Sequence, residues 1–315
     1  MNYNARCQPR WPPLGAMVDR SSRTARADGL LVLITLIWGS TFLLVQRTVQ
    51  SYPVFSFLCL RFVLASGVLL MLLGKRLRLL SPRMWAAGVA IGFFLFGGYA
   101  LQTLGLLYTT SSKAGFITGL SVVIVPGLSA TLLRRMPERA ALLGVLLSTV
   151  GLALLTLGRD LRPTLGDALV LGCAFCFALH IVAVSHFAPQ TDALALTVVQ
   201  VAAVAVFSGL AATLLGEWQL PQPSVLGAAA FTGVLATALA FAVQNSVQSW
   251  TTATHTALIF ATEPVFAGIF GYWLADERLS GKAVIGCIFI LLGMLVAELR
   301  APAPQGSTTR GGELV

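Results

Sequence analysis

Residues 258–275 read LIFATEPVFAGIFGYWLA, an apolar run long enough to cross a bilayer that carries one carboxylate, Glu263, and one proline, Pro264. An acidic side chain at membrane depth costs about 2.5–3.5 kcal/mol on insertion scales, so Glu263 is expected to face protein or water rather than lipid. Pro264 removes a backbone donor and is expected to kink its helix, as is Pro126 in an earlier apolar run. The rest of the chain then reads as helices packed around this segment.

Composition extends that reading. Of 315 residues, 57% are hydrophobic and only 10% charged, with a mean hydropathy of +0.83. Such a chain is too apolar for a soluble domain, and its first partner is the lipid bilayer. A net charge of +9 would suggest nucleic acid in a soluble protein. Here the basic residues lie between apolar runs or at the ends, which is a topology signal and points to no nucleic-acid partner. The five cysteines are odd in number and four lie in apolar runs, against a disulfide framework. Cys173 and Cys176, in LGCAFCFALHIV, have a metal-like spacing but no second cysteine or histidine pair. They read as packing residues, so no metal and no cofactor is expected.

Residues 1–28 carry five arginines and prolines at 9, 12 and 13, and read as a disordered basic cytoplasmic tail. Ten apolar segments follow, at about 29–47, 54–74, 84–107, 114–133, 140–158, 165–185, 193–215, 225–247, 253–275 and 281–299. Connections are short, several marked by helix signals such as Pro53, Ser81-Pro82 and Gly216, and residues 300–315 form a second tail. With the N-terminus inside, 14 of the 21 lysines and arginines fall inside, six outside, and Arg61 within a helix. Both termini are therefore expected in the cytoplasm.

The halves match. Residue n beside n+139 pairs Trp38 with Phe177 and Arg61 with Gln200. A shift of 142 pairs Gln102 with Gln244, and YTTSSKAG at 108 with WTTATHTA at 250. The expected fold is thus an all-α integral membrane protein of ten transmembrane helices in two five-helix repeats, residues 29–158 and 165–299. Five is odd, so the repeats are inverted, an arrangement that lets a central site open to either side alternately.

Several strings resemble one family. WGSTF at 38–42, FLCLRF at 57–62, QTLGLLYTTSSKAGFITGLSVVIVP at 102–126 and EPVFAGIFGYWLADERLSGKAVIG at 263–286 are similar to the EamA-like branch of the drug/metabolite transporter superfamily. The resemblance covers about residues 29–299. It implies ten helices in two inverted repeats, a central cavity lined mainly by helices one, three, four, six, eight and nine, and export of small metabolites or drugs. Amino acids and their derivatives are among the compounds that members handle. Small multidrug relatives use a glutamate in helix one, which LLVLITLIWGSTFLLV lacks, so that mechanism does not carry over.

Each candidate residue has a plainer alternative. Glu263 could contact substrate or take up a proton and couple a gradient to transport; alternatively it hydrogen-bonds near Pro264 or pairs with a helix cation. Arg61 could contact an anion, but an arginine that snorkels or ties helices together is the preferred structural reading. His180 could relay protons or simply pack. Gln102 and Gln244 could line a cavity or join helices. Trp38, Tyr99 and Phe241, with Trp250, could form an aromatic wall for substrate or anchor the protein at the interface. Lys113 and His255 occupy matched positions and are expected to snorkel. Gly39, Gly119, Gly127, Gly268 and Gly271 are expected at close helix contacts.

The expected function is a secondary transporter of the inner or plasma membrane, exporting a small organic molecule by alternating access, with protons as the candidate coupling ion. Because one chain holds both halves, a functional monomer is expected. The rival classes are a membrane-embedded enzyme and a non-transporting scaffold. An intramembrane enzyme needs a metal pair such as H-E-x-x-H, a nucleophile elbow or clustered carboxylates, and the sequence offers none of these constellations.

Overall fold

The computed structural model describes residues 14–109, 111–134, 136–156, 164–249, 251–275 and 280–298. Among them every regular element is helical. The first half holds α1 (Leu14–Val49), α2 (Val54–Leu73), α3 (Pro82–Gly105), α4 (Ser111–Gly119), α5 (Ser121–Leu132) and α6 (Arg139–Thr156). The second holds α7 (Leu165–Phe187), α8 (Ala193–Leu214), α9 (Pro223–Gly233), α10 (Ala240–Gln248), α11 (Ala253–Phe260), α12 (Glu263–Ala275) and α13 (Gly281–Glu298).

Local chemistry sets many of these boundaries. Ser81 accepts from Met84 N and Pro82 follows it, a favourable start for α3. Thr164 and Asp167 form a capping box on α7, Asp192 caps α8 and Thr252 caps α11. Pro53 offers α2 no cap. Its place is taken from the other half of the chain, where the Glu217 carboxylate accepts from Phe55 N at 2.8 Å.

Among the described residues, eight helical spans are at least 18 residues long and apolar enough to cross a membrane, including Arg26–Val49, Pro82–Gly105 and Pro223–Gln248. The chain is a multi-pass membrane protein. Two further apolar helical stretches, Arg139–Leu154 and Val284–Val296, fall short of that length and lie in α6 and α13. These two helices pack on one another with backbones nearly touching. A Cβ added to Gly151 would lie 2.6 Å from the Gly286 carbonyl oxygen and 2.7 Å from Ile290 N.

The core lies where the halves interleave: α1 packs on α10, α11 and α12, α2 on α8 and α9, and α3 on α7 and α8. Phe57, Leu58, Phe62 and Leu95 are fully enclosed there. Outward faces are apolar too, with Met71, Leu72, Leu146, Leu214 and Trp273 exposed. That pattern suits a hydrocarbon surround rather than water.

Two expectations change. Residues 14–28 are helical, whereas composition suggested a disordered tail up to residue 28; extending an established helix costs no new nucleation, so α1 continues through them. His255 does not snorkel at the interface. It is 8% exposed, and its Nε2 lies 2.9 Å from Oδ1 of the equally buried Asp28 at the start of the membrane-spanning part of α1. Lys113's side chain, Trp250 and residues 1–13 and 299–315 lie outside the described residues.

Candidate functional site

The fourth and ninth apolar runs are both interrupted, and in the same way. In the ninth, Val265 N and Phe266 N both donate to the Thr262 carbonyl, at 3.0 and 3.3 Å, as α12 starts afresh after α11. In the fourth, Val123 N and Ile124 N both donate to the Leu120 carbonyl, at 2.9 and 3.3 Å, between α4 and α5. Leu120 and Thr262 are 142 positions apart, the sequence shift that aligns these segments. Pro264 accounts for the second break: it sits in the first turn of α12, where its missing N–H costs no bond within that helix, and it leaves the Phe260 carbonyl without a helical donor. Pro126 lies inside α5, which runs through it, so the interruption of this span falls at Leu120 instead. The breaks adjoin one another, since a Cβ on Gly119 would stand 3.6 Å from Pro264 Cγ.

A third irregularity lies between α9 and α10, where Val234–Leu239 forms a π-helical turn. There Thr237 donates to the Thr232 carbonyl at 2.8 Å and accepts from Arg61 Nε at 2.9 Å. The turn also presents the Ala236 carbonyl to the Trp38 indole N–H, at 2.8 Å. Such turns are frequent where helices carry function.

The two breaks adjoin one cavity of about 70 Å³ between the halves, and the π turn holds two of its lining side chains, Arg61 and Trp38. Trp38, Arg61, Tyr99, Gln102, His180, Phe241, Gln244 and Glu263, drawn from six separate helices, all line it. The aromatic members form a connected wall. Trp38 stacks at 5.6 Å from Phe241 and 5.0 Å from Phe260, and Tyr99 lies 6.2 Å from Phe241 and 5.4 Å from Phe177.

The polar members differ in how far the protein itself satisfies them. His180 Nε2 is bonded to Gln200 Oε1 at 2.7 Å, and Gln102 donates to Thr118 at 3.2 Å. Arg61 is 3% exposed and does not snorkel. It joins α2 to α3 through Tyr99 OH at 3.3 Å, and its guanidinium lies 4.6 Å from the Tyr99 ring centre. Gln244 donates to Gln248 at 3.1 Å, but its Oε1 is buried without a partner. Glu263 is half-buried and has neither hydrogen bond nor ion pair among the described residues.

Sequence reasoning missed the Thr237 turn, the hydroxyls of Thr41, Thr103, Thr118 and Ser121 on the cavity wall, and the Thr35–Thr262 hydrogen bond of 3.0 Å that joins α1 to the α11–α12 break. Hydroxyls on apolar helices are too common to stand out. The break at Leu120 could have been found by carrying Pro264's effect back across the 142-residue shift. Gly39 and Gly119 do lie at close contacts, while Gly127 faces open space. Cys173 and Cys176 carry free thiols, and no metal-holding group of His, Cys, Asp and Glu occurs among the described residues.

Comparison with known proteins places this architecture. A protein of Archaeoglobus fulgidus, named only as an uncharacterized transporter, is 33% identical over 274 residues, covering 87% of this chain and 86% of that one. The uncharacterized transporter YetK of Bacillus subtilis is 27% identical over 284 residues, with 85% and 86% covered. A crystal structure superposes with a TM-score of 0.72 at 22% identity, over 87% of this chain and 98% of that one, which speaks to the fold alone. The model of the EamA-like transporter family matches twice, at residues 25–157 and 164–298, and the chain belongs to that family.

Proposed function

We propose that this protein is a secondary transporter that exports a small organic metabolite through the cavity between its two halves by alternating access. The observation that carries the reading is the pair of equivalent helix breaks at Leu120 and Thr262, which bring backbone irregularity and polar side chains to one cavity between the matched halves. Irregular backbone at membrane depth is tolerated where it lines a cavity, and discontinuous helices of this kind hold substrate and ions in transporters. Membership of a transporter family supports transport over catalysis.

Ten crossings in two inverted five-helix repeats complete the proposal. An 18-residue helix such as α6 or α13 rises about 27 Å, near the thickness of the hydrocarbon core. With an even number of crossings both termini lie in the cytoplasm, in agreement with the lysine and arginine bias. One chain supplies both halves of the site, so the monomer suffices.

Glu263 is the proposed coupling residue, because an unpartnered carboxyl facing the cavity between the halves can exchange its charge for a proton. Efflux from preloaded proteoliposomes, with and without a proton gradient, tests the function for a panel of amino acids, their derivatives and cationic drugs. We expect gradient-driven efflux of one compound class by the wild type and loss of gradient dependence in Glu263→Gln. Gradient-independent movement that survives the substitution would make the protein a facilitator with a structural Glu263, and failure to move any compound would remove the transporter reading.

A further inference from the structure

A second hollow lies on the outward face of the molecule, away from the cavity between the halves. It is a groove of about 280 Å³ with α8, from Val198 to Phe207, as its floor. Leu70 of α2 and Trp85 and Val89 of α3 form its walls, and the 3₁₀ turn Gly74–Leu79 that links those helices contributes Leu77. Every lining residue is hydrophobic, and Leu70, Trp85, Val89 and Val206 are exposed. Close helix packing, not slack, shapes the groove. An added Cβ at Gly88 would stand 2.7 Å from Val199 Cγ1, and one at Gly92 would stand 2.7 Å from the Gln200 carbonyl oxygen, so α3 is pressed onto α8. On the other wall, a Cβ at Gly209 would stand 3.3 Å from Cys59 Sγ, which sets α2 on α8. Walls held in this way cannot close in, and packed protein keeps few voids, so in a bilayer hydrocarbon fills the hollow. Between Val198 and Phe207 α8 rises about 14 Å, close to the depth of one leaflet in a hydrocarbon core of about 30 Å.

The turn end of this groove is strongly basic. Lys75, Arg76, Arg78 and Arg83 are all exposed and flank the lining residues Leu77 and Trp85. Arg76 is taken by Asp192, at 2.7 Å, which ties the turn to the cap of α8. The other three have no carboxylate partner among the described residues. Lys75 and Arg78, three positions apart in a 3₁₀ turn, eclipse one another and present their charges on one side. The fold does not demand these charges: the shift of 139 sets the turn against residues 214–222, where Arg78 meets Glu217 and no lysine or arginine occurs. A topology signal asks for basic residues on this side of the membrane, but not for their place at the mouth of a groove. We propose that the groove binds an anionic phospholipid of the cytoplasmic leaflet, its acyl chain along α8 and its head group held by Lys75, Arg78 and Arg83. Trp85, in the first turn of α3, then lies at the boundary between chain and head group, where tryptophan is favoured. Guanidinium groups fork onto phosphate, and basic residues beside a membrane attract acidic lipid. The leaflet follows from the proposed topology, whereas the site itself stands apart from the transporter reading and from the cargo.

Quenching of tryptophan fluorescence by brominated acyl chains tests this with full-length protein in phosphatidylcholine nanodiscs. The discs carry a graded fraction of either brominated phosphatidylglycerol or brominated phosphatidylcholine, and the two series give relative affinities. The share of Trp85 is the difference between the wild type and Trp85→Phe. Trp218, exposed on the matched segment after α8, is the internal control through Trp218→Phe. One cation beside acidic lipid is worth about fivefold in affinity. We therefore expect phosphatidylglycerol to be favoured at least fivefold at Trp85, and by less at Trp218. A ratio below fivefold at Trp85, or the same preference at both tryptophans, overturns the site. Lys75→Gln, Arg78→Gln and Arg83→Gln combined should bring the ratio at Trp85 close to one, and persistence of the preference in that variant overturns the role of the cations. A nanodisc offers the same lipid to both faces, so a variant inserted the other way round still reads the same site. Ala202→Phe fills the floor of the groove and should cut the preference at Trp85 several-fold. An unchanged preference there would place the lipid outside the groove and overturn the site as well. Should the combined variant or Ala202→Phe fail to fold, the wild-type ratios at Trp85 and Trp218 decide alone.

Discussion

The Thr237 hydroxyl serves two neighbours, closing the π turn onto the Thr232 carbonyl and taking the Arg61 Nε–H. Replacing Thr237 with valine keeps the branched shape and removes both bonds. We expect a loss of about 1–2 kcal/mol in stability, most of it from leaving a buried guanidinium N–H unpaired, and recovery in Thr237→Ser. Thermal unfolding in nanodiscs measures this, and a valine variant as stable as the wild type would mean that Arg61 is held by other groups. Single residues were unevenly legible from the sequence. Arg61, His180, Gln102, Gln244 and Glu263 stood out because each interrupts an apolar run. Thr237 did not, because a threonine in such a run ordinarily bonds back to its own helix. The Asp28–His255 pair was equally hidden, since its members are 227 positions apart and meet only when the halves pack.

Among the elements, α1 is the long unbroken member and α11–α12 the broken one against which it lies. Their approach is limited by Gly39, where an added Cβ would come within 2.8 Å of Phe266 Cβ, 2.9 Å of Ala267 N and 3.0 Å of the Glu263 carbonyl oxygen. Two of those three atoms are backbone, so neither side can yield cheaply. Gly39→Ala should therefore lower stability by about 1–3 kcal/mol, the usual range for overpacking, and disturb the start of α12 that carries Glu263. Gly67→Ala and Gly227→Ala are the contrast, because nothing stands within 4 Å of an added Cβ at either. Alanine's higher helix propensity should make them neutral to stabilising. If all three substitutions behave alike in thermal unfolding, the close approach at Gly39 does not limit the fold. Helix existence was plain from apolar length, but helix continuity was not. Pro264 flagged one break, whereas the break at Leu120 has no proline beside it and Pro126 sits in an unbroken helix. A proline predicts a missing bond, and the surrounding packing decides whether the helix bends, stops or continues.

At the scale of the molecule, several polar contacts join the two halves, and two of them lie as clasps where helices begin. One is Asp28–His255, at the start of the α1 span and the start of α11, with the exposed Arg76–Asp192 pair joining the halves elsewhere. The other joins the start of α2 to the segment after α8: Glu217 accepts from Phe55 N, the Glu217 carbonyl accepts from Ser56 Oγ at 2.7 Å, and Tyr52 OH donates to the Gln219 carbonyl at 2.8 Å. Under the proposed topology the first clasp faces the cytoplasm and the second the exterior. Both are made in the described arrangement, and the cavity between the halves is correspondingly small. Alternating access requires that they open one at a time, so weakening one should bias the molecule toward its own face, by the free energy lost from the closed form alone. A cysteine at the cavity residue Thr41, with the native cysteines replaced, reports this through labelling by a membrane-impermeant maleimide. Asp28→Ala should raise labelling several-fold in inside-out vesicles, where reagent reaches the cytoplasmic face. Glu217→Ala should raise it in right-side-out vesicles instead. The crossed result would reverse the assigned topology, and equal labelling from both faces in either variant would mean that these contacts hold the fold together without gating the cavity. Breaking the buried Asp28–His255 hydrogen bond leaves a partner unsatisfied and costs the closed form about 1–3 kcal/mol, whereas the Arg76–Asp192 pair, exposed on the arginine side, is worth about 1 kcal/mol at most. Arg76→Ala should therefore leave the labelling pattern close to that of the wild type, which separates a gate from a general loosening of the halves.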